Sequence, residues 1–162
     1  MRRALTAGLV LLVVALALTV RHLAQARTEA LATAEDGEMA VRAAAAHAVS
    51  LMSIDHRRID DDIKRALATS TGPERAQYAA GQAALKATTL KNKAVQTGVL
   101  RASALTSLAA DRRTAQVLIV GDAVIHWEDG RKAPPEERFF RWRMDVTKAS
   151  GLWLVSRAEL VR

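Results

Sequence analysis

Four histidines are the residues of this chain with the most obvious capacity for metal binding or proton transfer. They are His22, His47, His56 and His126, and no two of them are four residues apart. A zinc site needs three or four converging ligands, and the chain has no cysteine to supply thiolates. The absence of cysteine also excludes disulfides and cysteine nucleophiles. The sequence therefore predicts no metal site, no cofactor and no thiol chemistry.

Carboxylates and one tyrosine are the remaining candidates for acid or base chemistry. The triplet Asp60–Asp62 falls on a predicted helix and is better explained as a solvated, paired face than as a cation site. Tyr78 is predicted to be a core ring with its hydroxyl at the surface. An enzyme-like cavity requires Asp111, Asp145 or Tyr78 to face inward. The basic residues expected to pair with the triplet are Arg57, Arg58, Lys64 and Arg65.

The segment Arg138–Arg143 alternates cations with aromatic residues. Such a mixture can stack on nucleobases or contact anionic lipid headgroups. Ordinary strand geometry explains it more simply, because alternation predicts Phe140 and Trp142 inside and the arginines outside. Trp153, which follows a predicted turn, is likewise expected to be a core residue. The sequence contains no Gly-rich phosphate loop and no nucleophile elbow, so we predict no catalytic residues.

The net charge of +7 is concentrated near the N-terminus. Arg2, Arg3, Arg21 and Arg27 supply four positive charges, and no acidic residue occurs among the first 27 positions. The basic residues of the remaining chain are interspersed with acids, which is not the basic patch that nucleic-acid binding requires. No nucleic-acid partner is predicted.

The uncharged run Ala4–Val20 is rich in Leu and Val and has basic residues on both sides. At about 1.5 Å per residue it reaches ~25 Å, close to a bilayer core of ~30 Å. We predict a single-pass anchor within residues 1–27, with a cytoplasmic N-terminus and residues 28–162 as an extracytoplasmic domain. The alternative is a cleaved signal peptide, because Ala24-Gln25-Ala26 fits the small-x-small pattern.

Three helices are predicted after the apolar run. The first covers Thr28–Ser53, an Ala-rich stretch without proline. The second covers Asp55–Ala68, with Asp55 as its N-cap. The third begins at Thr71-Gly72-Pro73-Glu74, whose spacing suggests a capping box, and runs toward Leu90 or Lys93.

Period-two patterns then predict about four antiparallel strands. They begin near Val95, cover Thr114–Trp127 with a bulge at Gly121-Asp122, cover the alternation around Phe140–Val146, and end with Leu152–Leu160 after a tight turn. The predicted fold class is α+β: about three helices packed on one face of a curved antiparallel sheet.

A series of short motifs follows in order along the exported part. They are Arg42-Ala43-Ala44, Leu51–Asp55, Ile59–Asp62, Thr71-Gly72-Pro73, Tyr78, Gly98-Val99, Ala115–Ile119, Arg143–Val146 and Gly151–Val155. Their order resembles the Mce-associated membrane proteins of actinobacterial envelopes. The resemblance implies a cone-like fold similar to nuclear transport factor 2 and to the periplasmic domain of a type IV secretion inner-membrane assembly protein. It also implies association with Mce-type lipid-import subunits and no catalytic motif.

Two functional hypotheses follow. The first is a non-enzymatic, membrane-anchored accessory subunit of an envelope complex, an Mce-type lipid import system, with homo-oligomerisation left open. The alternative is a small-molecule or lipid-binding cone, or an isomerase-like enzyme, with a pocket on the concave face of the sheet.

Overall fold

A computed structural model describes residues 2–130 and 133–161, with side chains from Ala15 onward. The residues up to Asp36 form one compact unit and those from Gly37 onward form a second. The elements in chain order are α1 (Arg2–Met52), β1 (Ile54–Asp55), α2 (Ile59–Ala68), α3 (Gly72–Asn92), β2 (Ala94–Leu108), β3 (Thr114–Trp127), β4 (Glu136–Ala149) and β5 (Leu152–Leu160). The predicted class, α+β with three helices and an antiparallel sheet, is confirmed.

The predicted anchor, Ala4–Val20, falls largely on residues 2–14, whose side chains lie outside the described part of the chain. Among the residues that the structure does describe, no helix is long and apolar enough to cross a membrane.

The second unit contains one five-stranded antiparallel sheet in the order β1-β2-β3-β4-β5. The prediction of four strands missed β1, a two-residue strand in which Ile54 pairs with Gln96 and Asp55 pairs with Val95. Asp55 is therefore not the N-cap of α2, which begins at Ile59 with Arg58 at the cap position. Its carboxylate instead accepts hydrogen bonds from the backbone N–H and the Nε of Arg57, at 2.9 and 3.0 Å.

The core lies between the last four turns of α1 and the concave face of the sheet. Ala40, Ala44, Ala48 and Met52 are spaced four residues apart, so they share one face of the helix, and all are fully buried. Alanine side chains allow the helix backbone to approach the sheet closely. The strand residues that meet this face are Ala115, Val117, Ile119, Ala123, Trp142, Met144, Val146, Trp153 and Val155. The predictions that Trp142 and Trp153 are core residues are confirmed.

Two glycines receive the side chain of Met52 at the end of α1. A Cβ atom on Gly98 of β2 would lie 2.3 Å from the Met52 Cβ, and one on Gly121 of β3 would lie 2.7 Å from the Met52 Cε. The register shifts beside Gly121, as predicted, but the extra residue is Arg101 of the partner strand β2: Gly121 pairs with Leu100, and Val120 pairs with Ala102. The pairing of Gly121 and Asp122 with β4 is regular, and the glycine also admits Met52.

Two register shifts occur on β2, where the pairing with β3 shifts at Arg101 and again at Thr106, and a third occurs on β5 at Ser156. Since β1 covers only Val95 and Gln96, no described strand pairs with the other edge of β2 from Thr97 to Leu108. At the opposite side of the sheet, β4 and β5 are joined by Ser150-Gly151, both with positive φ, as the predicted tight turn requires.

We expect Gly98→Ala to lower the free energy of unfolding by about 1–3 kcal/mol, because the added methyl group must displace Met52 or the backbone of α1. Gly81→Ala is the matched control: its Cβ meets no atom within 4 Å. Because it replaces a helical glycine, it should raise stability by roughly 0.5–1 kcal/mol. Chemical denaturation of the full chain in a mild detergent measures the free energy of unfolding of both variants. Equal stability of the two variants would contradict the proposed contact.

Candidate functional site

The structure places the four histidines apart. His22 is exposed on α1, His126 is exposed on β3, and His47 is completely buried on the sheet-facing side of α1. His56 hydrogen-bonds through Nε2 to Glu128 Oε2 at 2.9 Å. In residues 2–130 and 133–161, no three His or acidic side chains converge as a metal site would require.

The acidic triplet of α2 is paired, as the simpler interpretation predicted, although with partly different residues. Asp60 accepts hydrogen bonds from Lys86 Nζ at 2.6 and 2.8 Å, and Asp61 lies 3.5 Å from Lys64 Nζ. Asp62 is buried and is bound by Arg65 and by the backbone N–H of Asp55, at 2.9 and 2.8 Å. Two members therefore neutralise surface cations, and the third holds β1 against α2.

Asp111, Asp145 and Tyr78, the three candidates for an enzyme-like cavity, do not converge. Asp111 lies in the β2–β3 turn, where its carboxylate accepts the N–H of Arg113 at 3.0 Å. Asp145 lies on the outer face of β4, opposite Gln116 of β3, and its Oδ1 accepts a hydrogen bond from the Gln116 side chain at 3.1 Å. Tyr78 lies on α3, on the other side of the sheet.

A cavity of about 430 Å³ adjoins Asp145. Its polar side chains already bind one another: Thr147 and Ser156 lie 3.1 Å apart, and Gln116 is bonded to both Asp145 and Thr106. Asp145 is the one charged side chain in the lining of this cavity, and Gln116 engages one of its two carboxylate oxygens.

The better candidate site is a groove between α3 and the inner face of the last two strands. Its volume is about 370 Å³, which lies in the ~300–1,000 Å³ range of ligand sites. Apolar side chains form most of its wall. The lining residues are Leu51, Glu74, Gln77, Tyr78, Gly81, Leu85, Trp142, Ala158 and Leu160.

A second, smaller groove of about 180 Å³ continues along α3 and shares Leu85 with the first. Its lining includes the polar side chains of Asn92, Gln96 and Arg138, but most of its lining surface is apolar, as in the first groove. We call the first, larger groove the α3 groove.

A network of polar side chains borders the α3 groove. His47 Nδ1 lies 2.8 Å from Thr69 Oγ1, which also lies 3.1 Å from two carbonyls of the last turn of α2. His47 Nε2 faces Glu74 Oε1 at 3.4 Å, and Glu74 Oε2 accepts the N–H of Ala158 at 3.0 Å. The network links α1, α2, α3 and β5.

Glu74 does not form the predicted capping box. Thr71 is the N-cap of α3 and Pro73 lies in the first turn, but the Thr71 side chain makes no capping hydrogen bond. The carboxylate of Glu74 instead binds His47 and β5. The predicted position of the helix start is right, and the predicted interaction is wrong.

Tyr78 has a buried hydroxyl with no hydrogen-bond partner among the described residues, so the prediction that this hydroxyl reaches the surface is wrong. Burial is the main cause that raises the pKa of Tyr78 above its ordinary value of 10.0, and the negative charge of Asp62 adds to it. The phenol is therefore held in its neutral form.

The inner face of β4 contributes Trp142 to the α3 groove and Arg138 to the smaller groove, whereas Phe140 lines neither. Register places Trp142 opposite Ile119, Phe140 opposite Gly121 and Arg138 opposite Ala123, so these three β4 side chains share the inner face. The rings of Phe140 and Trp142 stack with centroids 4.7 Å apart. The prediction that the arginines of this segment face outward is right for Arg141 and Arg143 and wrong for Arg138.

The outer face of the sheet carries an apolar strip beside a cationic one. Leu118 and Val120 of β3 are both more than a third exposed, and register sets them opposite Arg143 and Arg141 of β4. Phe139, on the same face, is 74% exposed. An exposed surface of this composition suits contact with another macromolecule.

The chain belongs to a family described as "Uncharacterized protein Rv1363c/MT1408-like", whose model matches residues 3–162. No curated protein matches the sequence. The structure is similar to the periplasmic domain of DotI, with a TM-score of 0.60, 14% identity, and coverage of 75% of this chain and 91% of that chain.

Two further solved structures are similar. A periplasmic fragment of TraM has a TM-score of 0.53 at 15% identity, covering 83% of this chain and 96% of that chain. A putative aromatic ring hydroxylase from Novosphingobium aromaticivorans has a TM-score of 0.55 at 18% identity, covering 78% and 87%. At these identities the likeness shows the fold, the cone of the nuclear transport factor 2 type, as the sequence resemblance implied.

We expect Tyr78→Phe to raise the free energy of unfolding by about 1 kcal/mol at neutral pH, since it removes a buried hydroxyl without a partner. Above about pH 10 the unfolded chain ionises its tyrosine while the folded chain resists, so the stability of the native protein should fall with rising pH. The variant should lose this dependence.

Urea unfolding of the full chain between neutral and alkaline pH measures both effects, and Tyr78 is the only tyrosine in the sequence. Tyr78→Leu is the control, because it removes the ring as well as the hydroxyl and should lower stability. A Tyr78→Phe variant with the same alkaline loss as the native chain would refute the assignment.

Proposed function

We propose that this member of the Rv1363c/MT1408-like family is a membrane-tethered, non-enzymatic accessory subunit of an extracytoplasmic protein complex. The observation that carries the proposal is the similarity of its fold to the periplasmic domains of DotI and TraM. Those domains support a location in the cell envelope. The apolar run Ala4–Val20, with arginines on both sides, supplies the tether.

The partner that we propose is an Mce-type lipid import system. The support for this choice is the order of sequence motifs along the exported part, which resembles Mce-associated membrane proteins. A tethered domain meets partners in the same membrane at a raised effective concentration. Weak individual contacts are then sufficient for assembly.

The outer face of the sheet is the surface that we assign to this partner. Phe139, Leu118 and Val120 offer exposed apolar area, and Arg141 and Arg143 have no acidic partner within the described residues. An acidic, partly apolar surface on the partner would complement this face.

The side chains that line the α3 groove support binding rather than catalysis. Glu74 is the one carboxylate among the described residues that line it, and both of its oxygens are engaged, by His47 and by the Ala158 N–H. The other lining group with acid–base capacity is Tyr78, whose hydroxyl is held neutral because burial raises its pKa.

Topology can be tested in spheroplasts. Protease added outside should degrade the domain, because the positive charges before Ala4 are expected to hold the N-terminus in the cytoplasm. Intact mass and carbonate extraction should show an uncleaved, membrane-bound chain. A mature chain beginning near Arg27 in the soluble fraction would contradict the tether, and a protected domain beside a cleaved control would contradict the orientation.

Co-purification from mildly solubilised membranes tests the partner surface. We expect the native chain to recover Mce-type subunits and the double variant Arg141→Glu, Arg143→Glu to lose at least about tenfold of that recovery, as reversed charges repel an acidic partner. Lys64→Glu is the control, because Lys64 is also an exposed cation but lies on α2. Native protein that is always recovered alone would refute the accessory role.

A further inference from the structure

Two irregularities of the sheet lie beside the same cavity, the one of about 430 Å³ that adjoins Asp145. The pairing of β2 with β3 leaves Thr106 as an extra residue, and the pairing of β5 with β4 leaves Ser156 as an extra residue. Bulges are frequent next to functional sites, where they turn a side chain out of the regular alternation. The two bulges therefore distinguish this cavity, which we call the Asp145 cavity, from the rest of the sheet surface.

The extra residues hold the polar side chains of the cavity from both sides. Thr106 Oγ1 donates to the backbone oxygen of Gln116 at 2.9 Å, and Gln116 Nε2 donates to Asp145 Oδ1 at 3.1 Å. From the β5 side, Ser156 Oγ donates to the backbone oxygen of Asp145 and accepts from Thr147 Oγ1, both at 3.1 Å. The position of the carboxylate is therefore fixed before any ligand enters.

The second oxygen of this carboxylate is available. Among the described residues, nothing hydrogen-bonds to Asp145 Oδ2, and the side-chain hydroxyls of Ser107 and Thr114, which line the same cavity, are also unbonded. A carboxylate oxygen only accepts hydrogen bonds, whereas a hydroxyl group both donates and accepts. The cavity thus presents one strong acceptor beside two groups that can do either.

A ligand rich in hydroxyl groups matches this set of polar atoms. Each of its hydroxyls can donate to the carboxylate or exchange hydrogen bonds with serine and threonine. An amine or guanidinium ligand has no acceptor for those hydroxyls. It would also approach two cations of the same sheet face, since Arg143 lies two residues before Asp145 on β4 and Arg157 lies opposite it on β5.

The apolar part of the lining suits the carbon skeleton of such a ligand. Leu108 and Ala109 lie at the end of β2 and are half-buried beside the polar atoms. A sugar ring has C–H groups on one face and hydroxyls around its edge, so it can pack on Leu108 while its edge reaches Asp145. The volume of about 430 Å³ falls in the ~300–1,000 Å³ range of small-molecule sites.

We propose that the Asp145 cavity binds a sugar ring. One ring hydroxyl donates to Asp145 Oδ2, and its neighbours contact the hydroxyls of Ser107 and Thr114. This inference goes beyond the accessory role, which does not require it. The sugar is either a free saccharide or one unit of a longer glycan, because both present the same ring edge.

Calorimetric titration of the full chain in amphipol tests the ligand class. The probes are the methyl α-glycosides of glucose, galactose, mannose and arabinose. We expect saturable binding of at least one of them and no binding of its permethylated form, which keeps the ring but has no O–H donor. Agmatine, a cation of similar size, should not bind.

Asp145→Asn is the decisive variant. Asparagine retains an oxygen for Gln116 but replaces the free Oδ2 by an NH₂ group, which cannot accept a hydrogen bond. We expect the affinity for the bound glycoside to fall at least about tenfold, the scale of a lost hydrogen bond to a charged group.

Ser107→Leu tests the location without changing the carboxylate. Ser107 is exposed at the cavity, so a larger side chain should obstruct it and lower the affinity at least about tenfold while the fold is retained. The control is Ala104→Leu, because Ala104 is exposed on the same strand and does not line the cavity. This variant should bind like the native chain.

Three results would overturn the proposal: no binding of any of the four glycosides, equal binding of the permethylated form, or native affinity in both Asp145→Asn and Ser107→Leu. Binding of agmatine in place of the glycosides would also overturn it. A trisaccharide of the bound sugar distinguishes the two sources, since tighter binding than the monosaccharide indicates a glycan and equal binding indicates a free sugar. These titrations use purified protein, so their failure leaves the co-purification result unchanged.

Discussion

The packing of helix against sheet in the second unit depends on the contact of Met52 with Gly98 and Gly121. Any larger residue at either glycine would meet Met52 at less than 3 Å, so helix and sheet can approach only where both positions lack a side chain. That approach is what brings the alanine face of α1 onto the buried strand residues. It also fixes where α1 ends, and therefore where the short strand β1 and the helices α2 and α3 must start.

The regular elements of this fold could be predicted from the sequence because their signals are local. The alternation of Phe140, Trp142 and Met144 gave β4, and Thr71-Gly72-Pro73 gave the start of α3. The two-residue strand β1 is too short to carry a period, and it exists only because β2 offers an edge for it. Tertiary context likewise decided the role of Gly121, which no pattern in its own strand reveals.

The candidate site was harder to foresee, because its parts come together only in three dimensions. His47 and Glu74 are 27 residues apart, and no local motif joins them. One weak signal was present: His47 lies three residues after Ala44, on the buried side of α1. Arg138 lies two and four residues before Phe140 and Trp142, so strict alternation places all three on the inner face of β4. The general preference of arginine for solvent favours the opposite, outward placement.

The uncovered edge of β2 has a consequence for how this protein behaves at high concentration. An exposed strand edge is a template on which another chain can add, and a long regular edge promotes association into fibres or sheets. The bulges at Arg101 and Thr106 leave only Ala102–Leu105 in regular geometry between them. An incoming strand can then form just a few consecutive hydrogen bonds before it loses register, so we expect the irregularity of β2 to oppose association of folded molecules through their sheets.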